Sequence, residues 1–276
     1  MAEQTRVMGV VNVTPDSFSD GGLYLDPEAA IAHATELAAE GADILDVGGE
    51  STRPGAEAVG EAEEVARTQP VVEALTGESG PGVPVSIDTS KASVAGAALD
   101  AGAVIVNDVT ALRADPELAS LCADRNCEVV LMHMLGTPRT MQDDPRYDDV
   151  VNDVKSFLVA RISAAMEAGI DERRIWVDPG IGFGKTVAHN LELLRRLGEL
   201  RELGRPVVVG TSRKSFLGKI TGREVDQRLG ATVASNVLAV AAGVDVIRVH
   251  EVAVAREAIA VAESVLGRRE WRADPR

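Results

Sequence analysis

Eight times along this chain a short run rich in valine and isoleucine gives way to a longer segment with helical periodicity. The runs are "RVMGVVNV" (near 6–13), "DILDVGG" (43–49), "VPVSIDT" (83–89), "VIVNDV" (104–109), "EVVLMHM" (128–134), "IWVDPG" (175–180), "PVVVGTS" (206–212) and "DVIRVHEV" (245–252). They are almost continuously apolar rather than alternating, the pattern of parallel strands covered on both faces. Between them, "PEAAIAHATELAAEG" begins with a proline in its first turn and stops at Gly41, standard helix punctuation. "DVVNDVKSFLVARISAAMEAG" sets Val151, Val154, Leu158, Ile162 and Ala165 on one face. About eight such units in 276 residues predict an α/β fold, a single (β/α)8 TIM barrel spanning 1–276. A doubly wound open sheet is the alternative. The polar tail 268–276, "RREWRADPR", is expected to fray.

Composition narrows the partners. At 45% hydrophobic the chain has ample material for a large core. A net charge of −15 argues against nucleic acid and anionic membrane as partners. Any anionic substrate then needs a local basic pocket. Cys122 and Cys127 make no zinc site and read as reduced packing residues of a cytoplasmic protein. The N-terminus lacks a signal pattern, and no apolar run approaches the roughly 20 residues of a membrane span.

In a barrel the strand C-termini face the active site, and here those ends are polar. Strand one ends in Asn12, strand two in Asp46, strand three in Asp88, and strand four in Asn107 and Asp108. Strand five carries Met132 and His133, and strand six ends in Asp178. Strand seven leads to Ser212-Arg213-Lys214-Ser215, and strand eight carries Arg248 and His250. A lone aspartate after a strand is often a helix cap and a lone buried histidine a core residue; convergence of so many is what marks a site. Asp178 suits a fork that accepts two hydrogen bonds from adjacent donors of a flat heterocycle. Asp88 and Asn107 suit its other edges, and Lys214 a ring carbonyl. Arg248 and His250 offer an anion site, where Asn12 adds an oxygen ligand for a Mg²⁺ held mainly by phosphates. The polar loops "NVTPDSFSDGG" and "GGESTRPGAEAV" read as lids or substrate contacts.

"DPGIGFGKT", residues 178–186, ends like a phosphate-binding loop. Pro179 stands where that motif needs its first glycine, and proline has no N–H to offer a phosphate. Lys185 is therefore expected to face solvent or to start a helix.

Together "VMGVVNVTPDSFSDGG", "DILDVGGESTRPGAEAV", "VSIDT", "VNDV", "LMHMLGTPRTMQ", "DPGIGFGK", "GTSRKSFLGKITGR" and "RVHEV" resemble, in order and from about Arg6 to Gly267, the dihydropteroate synthase family of pterin-binding barrels. The resemblance implies condensation of 6-hydroxymethyl-7,8-dihydropterin pyrophosphate with p-aminobenzoate in folate synthesis. It assigns Asp88, Asn107, Asp178 and Lys214, with Met132, Phe183 and Gly210, to the pterin. Asn12, Arg248 and His250 fall to pyrophosphate and Mg²⁺. Thr52, Arg53, Pro54, Phe183, Lys214 and Ser215 fall to p-aminobenzoate, and Phe18 and Asp20 to a lid. Asp178, Lys214, Asp88, Arg248 and His250 are the expected catalytic set. The resemblance also implies a homodimer and sulfonamide sensitivity. One departure is Glu251 where the family more usually has aspartate; it is expected to point away from the pocket. A folate-binding methyltransferase on a similar barrel and a pterin-binding relative without activity are the rival readings; "SRKS" and the full "NVTPDSFSDGG" loop speak against the first, and intact "STRPG", "DPGIGFGK" and "SRKS" against the second.

Overall fold

A computed structural model of the chain describes residues 4–14, 27–52, 56 and 58–269. Phe18, Asp20, Arg53 and Pro54 lie outside the described residues, as does most of the tail. Arg268 is tied down: its guanidinium donates to the Val240 carbonyl at 2.8 Å.

The expected strands form as β1 (Arg6–Asn12), β2 (Ile44–Gly48), β3 (Val85–Asp88), β4 (Ile105–Asp108), β5 (Glu128–Met132), β6 (Ile175–Asp178), β7 (Val208–Val209) and β8 (Val246–Val249). They pair in parallel in the order β6-β5-β4-β3-β2-β1-β8-β7. The open-sheet alternative fails at the two outer strands. Val177 bridges Val207, and the Val177 N–H donates to the Pro206 carbonyl at 2.9 Å, which brings β6 against β7 and rounds the sheet into a barrel. Strand β7 is shorter than its apolar run because Pro206 lacks a donor and Gly210 begins the turn into the next loop.

The helices lie outside: α1 (Pro27–Ala39), α2 (Glu61–Thr76), α3 (Ala92–Asp100), α4 (Pro116–Arg125), α5 (Val150–Glu167), α6 (Val187–Arg195), α7 (Ser215–Thr221), α8 (Leu229–Ala242) and α9 (Val252–Val265). Several begin as polar side chains direct. Asp115 caps α4 through the Glu117 N–H, Asp149 caps α5 through the Val151 and Asn152 N–H groups, and Thr186 with His189 forms a reciprocal capping box on α6. The apolar face predicted for α5 is the buried one.

Strand parity divides the core. Val7, Val11, Leu45, Val47, Val85, Ile87, Val106, Val129, Leu131, Val177, Val209, Ile247 and Val249 face outward, beneath the helices. Met8, Ile44, Ile105, Val130, Trp176, Val208 and Val246 fill the barrel interior as a separate cluster. Arg6 lies over the Trp176 ring at 4.4 Å and covers that plug from below.

Candidate active site

Two residues beyond six of those interior positions lie Asp46, Asn107, Met132, Asp178, Gly210 and Arg248. Because side chains alternate along a strand, this next layer points into the barrel directly above the plug. Asp88 joins it from β3, paired in register with Gly48. The apolar plug thus forces the polar layer to the C-terminal mouth.

Its centre is an ion-pair network built on fully buried Asp46 and part-buried Arg248. Asp46 Oδ2 accepts from Arg248 Nε at 2.6 Å and from Asn107 Nδ2 at 3.0 Å. Asp88 Oδ2 accepts from the Arg248 guanidinium at 2.7 Å. Asp46 is fully buried, and its Oδ1 has no hydrogen-bond partner. Burial pushes the Asp88 pKa up to about 7 against the pull of Arg248, with Asp46, Glu64 and Asp108 adding to the rise. Burial would lower the Arg248 pKa, but Asp46 and Asp88 outweigh it and hold the guanidinium above its ordinary value.

Across the mouth, Asp178 Oδ1 accepts the Gly180 N–H at 2.6 Å. Burial raises its pKa, and Lys214, that N–H and Arg248 counteract the rise. Lys214 lays its Nζ 4.4 Å from the Phe183 ring centroid and donates to the Ile181 carbonyl. Burial and Arg248 bring its pKa down to about 8, with Asp178 and Asp88 opposing. Lys214 reaches inward because Arg213 adopts a left-handed conformation, φ 58°. Arg213 is held there by the Thr232 hydroxyl on its N–H at 3.1 Å, by Arg228 on its carbonyl at 2.9 Å and by its ion pair with Glu251. Phe183 packs on the methionine-rich wall of Met132, Met134 and Met141. Ser212 Oγ sits 2.9 Å from His250 Nδ1.

The glycines of "DPGIGFGK" are steric necessities. Gly180 has φ +63°, and a Cβ there would lie 1.9 Å from the His133 carbonyl oxygen. Gly182 has φ +84°, and a Cβ there would lie 2.8 Å from Lys214 Cδ.

Four expectations need correction or refinement. Asp108 has the opposite parity to Asn107 and faces away from the mouth. Its carboxylate accepts from Ser90 Oγ at 2.6 Å, the Thr110 N–H at 2.8 Å and the Leu112 N–H at 2.6 Å, which shapes the loop before α4. His133, next to inward Met132, also turns outward and packs edge-on against Phe157 at 4.8 Å. Lys185 does not face solvent: it is 3% exposed, with Nζ 2.9 Å from His133 Nδ1 and donating to the Phe183 carbonyl at 2.9 Å. Burial drives its pKa well down, and burial with Lys185 and Arg113 lowers His133 to about 2. Glu251 reaches Ser212 Oγ at 3.4 Å besides Arg213, so it braces the mouth.

Two groups carry no assignment in the sequence. Asp46 is visible there only as a polar strand end, although its spacing from Ile44 matches that of Asn107 from Ile105. Lys91 joins Glu50, Glu64 and the Val59 carbonyl, tying both ends of the second loop to α2; no local motif announces it. Thr52 lies within that loop, half-buried, and Ser215 opens α7 at the surface. Asn12 ends β1 in the same inward phase as Met8 and pairs with Gly48.

The pterin binding enzyme family matches residues 8–250. The chain is 46% identical to the dihydropteroate synthase of Bacillus subtilis over 91% of this chain and 85% of that protein. Among solved structures, the Yersinia pestis dihydropteroate synthase, in complex with a sulfonamide drug, superposes with a TM-score of 0.92 at 43% identity, covering 96% of this chain and 95% of that one. The Xanthomonas albilineans dihydropteroate synthase with 4-aminobenzoic acid does so at 0.89 and 52% identity, covering 96% and 94%. With a polar layer above an apolar plug and a match along nearly its whole length to these proteins, the chain belongs to the pterin binding enzyme family, among the dihydropteroate synthases.

Proposed function

We propose the following division of labour for the dihydropteroate synthase reaction at this mouth. Asp178 receives the adjacent ring N–H and amino donors of the dihydropterin. Asn107 and Asp88 read the remaining edges, Lys214 donates to the ring carbonyl, and Met132, Phe183 and Gly210 line the ring faces. Arg248, His250 and Asn12 take the pyrophosphate. Thr52, Arg53, Pro54, Phe183, Lys214 and Ser215 surround p-aminobenzoate, with Phe18 and Asp20 closing from the first loop. The observation that carries this reading is the ring of Asp88, Asn107, Asp178 and Arg248 in one layer over the plug.

Carbon–oxygen cleavage at the pterin methylene comes first and leaves a cation delocalised into the electron-rich ring. Asp178 stabilises that cation, while Arg248 and His250 offset the charge on departing pyrophosphate. The neutral arylamine nitrogen then bonds to the methylene carbon and loses a proton to solvent or to pyrophosphate. Positioning rather than a strong base governs this step, and excluding water protects the cation. Asn12, at the end of β1, would add an amide oxygen to a Mg²⁺ held mainly by the pyrophosphate. When bound it neutralises phosphate charge.

The test is pyrophosphate release from dihydropterin pyrophosphate with Mg²⁺, with and without p-aminobenzoate. Release that requires p-aminobenzoate, yields dihydropteroate and is blocked by a sulfonamide supports the reading. Pterin binding without release would mark a non-catalytic relative.

A homodimer is the proposed assembly, working in the cytoplasm. Between α8 and α9 runs an apolar groove lined by Val233, Val237, Val254, Val261, Val265 and Leu266. Val261 is 66% exposed and Val265 81%, an unusual apolar surface for a monomer. The double substitution Val261→Asp with Val265→Asp is expected to shift sedimentation from dimer to monomer; an unchanged coefficient would move the interface elsewhere.

A further inference from the structure

Four consecutive carbonyls of the β6 loop each accept a hydrogen bond from a side chain. Lys214 Nζ donates to Ile181, Gln142 Nε2 to Gly182 at 2.6 Å, Lys185 Nζ to Phe183 at 2.9 Å, and Tyr147 Oη to Gly184 at 2.7 Å. Three of these donors come from other parts of the chain and one from the loop's own end. The loop N–H groups are held as well: Gly180 by Asp178, Phe183 by the Gly180 carbonyl and Gly182 by Asn190 Oδ1 at 2.7 Å. Short loops carrying glycines do not rigidify by themselves; this one is clamped from outside.

Lys185 is the buried member of the clamp, and the chemistry proposed for the mouth leaves it unused. Its amine sits behind the wall, between the end of β5 and the loop. It touches His133 Nδ1 at 2.9 Å, the His133 carbonyl at 3.4 Å and the Phe183 carbonyl at 2.9 Å. On the other side of Phe183, the ring meets Lys214 and the methionine wall. A continuous path therefore runs from His133 through Lys185 and the Phe183 main chain to the Phe183 ring and Lys214 ammonium. Resting on the site reading above, we propose that Lys185, seated on His133, is a positioning residue that fixes the Phe183 ring and so sets the shape of the pterin pocket.

An amine in this place suits the task. Its nitrogen reaches His133 Nδ1, the His133 carbonyl and the Phe183 carbonyl at once, and its long apolar stem is buried with it. Removing it leaves the part-buried Phe183 carbonyl without its side-chain donor and frees the loop to shift. Movement of Phe183 displaces the surface against which the pterin and Lys214 both pack.

The test is a binding cycle with 6-hydroxymethylpterin, read by calorimetry. Lys185→Met keeps the stem and is expected to raise the Kd about tenfold, as loss of a buried positioning contact does. Phe183→Ala is expected to raise it similarly. The double variant should bind no worse than Phe183→Ala alone, because Lys185 acts through that ring. A merely structural lysine would lower the melting temperature and leave Kd unchanged in the folded fraction. An unchanged Kd, or effects that multiply in the double variant, overturns the proposal. Should Lys185→Met not fold, Tyr147→Phe removes only the Gly184 clamp, and the same cycle with Phe183→Ala decides. A rise of a few-fold that vanishes in the Phe183→Ala background supports the clamp, and no rise overturns it. Wild-type protein that binds no pterin would instead overturn the site reading on which this rests.

Discussion

Asp178→Asn is expected to lower kcat/KM by about a hundredfold or more while the barrel stays folded. The carboxylate accepts the Gly180 N–H at 2.6 Å through one oxygen and still has lone pairs for the ring donors. An amide has one oxygen and two donors of its own. Turned one way, its NH₂ opposes Gly180 N–H; turned the other, it opposes the ring. Losing one or two charge-assisted bonds of about 1.5–3 kcal/mol each accounts for that factor in pterin binding alone. The stabilising charge beside the methylene cation goes as well, so kcat falls along with affinity. Steady-state kinetics and pterin calorimetry on the purified variant check this. Near-normal turnover would remove Asp178 from the fork and leave Asn107 and Asp88 as the only ring readers in the layer.

Arg248→Met should be the most damaging substitution in the mouth, and on two counts. Stability falls because Asp46 is fully buried and Arg248 is its only ion-pair partner in the described residues, with the Asn107 amide its only other donor. Breaking a buried pair from one side costs about 3–5 kcal/mol. Activity falls because pyrophosphate departs without its guanidinium; loss of such a preorganised donor costs about 10²–10³-fold. The two effects separate experimentally. Replacing both partners, Arg248→Met with Asp46→Leu, should recover much of the melting temperature and none of the turnover. Recovery of turnover in the double variant would make the arginine a scaffold for Asp46 and not a phosphate ligand.

Much of this architecture is legible in the amino-acid sequence. Eight apolar runs, each followed by a helical segment, specify a parallel sheet wrapped by helices. The C-terminal ends of the runs carry the polar residues that meet at the mouth. Asp178, Asn107, Asp88, Met132, Arg248 and Lys214 are all identifiable by position within or just after a run. What the runs withhold is phase. A parallel strand in a barrel is buried on both faces, so apolar residues occupy both parities and the alternation that reveals facing is erased. Asn107 and Asp108 look equivalent in the chain, as do Met132 and His133. Only the pairing of neighbouring strands turns Asn107 and Met132 inward and sends Asp108 and His133 under the helices.

Lys185 shows the same limit at longer range. In the chain it follows a glycine and precedes a helix cap, which reads as surface. Its depth comes from residues far away in sequence, His133 after β5 and Tyr147 before α5, which fold over the β6 loop. The barrel, its polar end and the family can be read from the chain alone, because they follow from local hydrophobicity and from motifs that are contiguous. Which strand residues turn into the barrel mouth, that Asp46 grips Arg248, and that Lys185 is buried against His133 and Phe183 emerge only in the folded chain. Those depend on contacts between segments up to some 200 positions apart, as with Asp46 and Arg248, and no local pattern encodes such a contact.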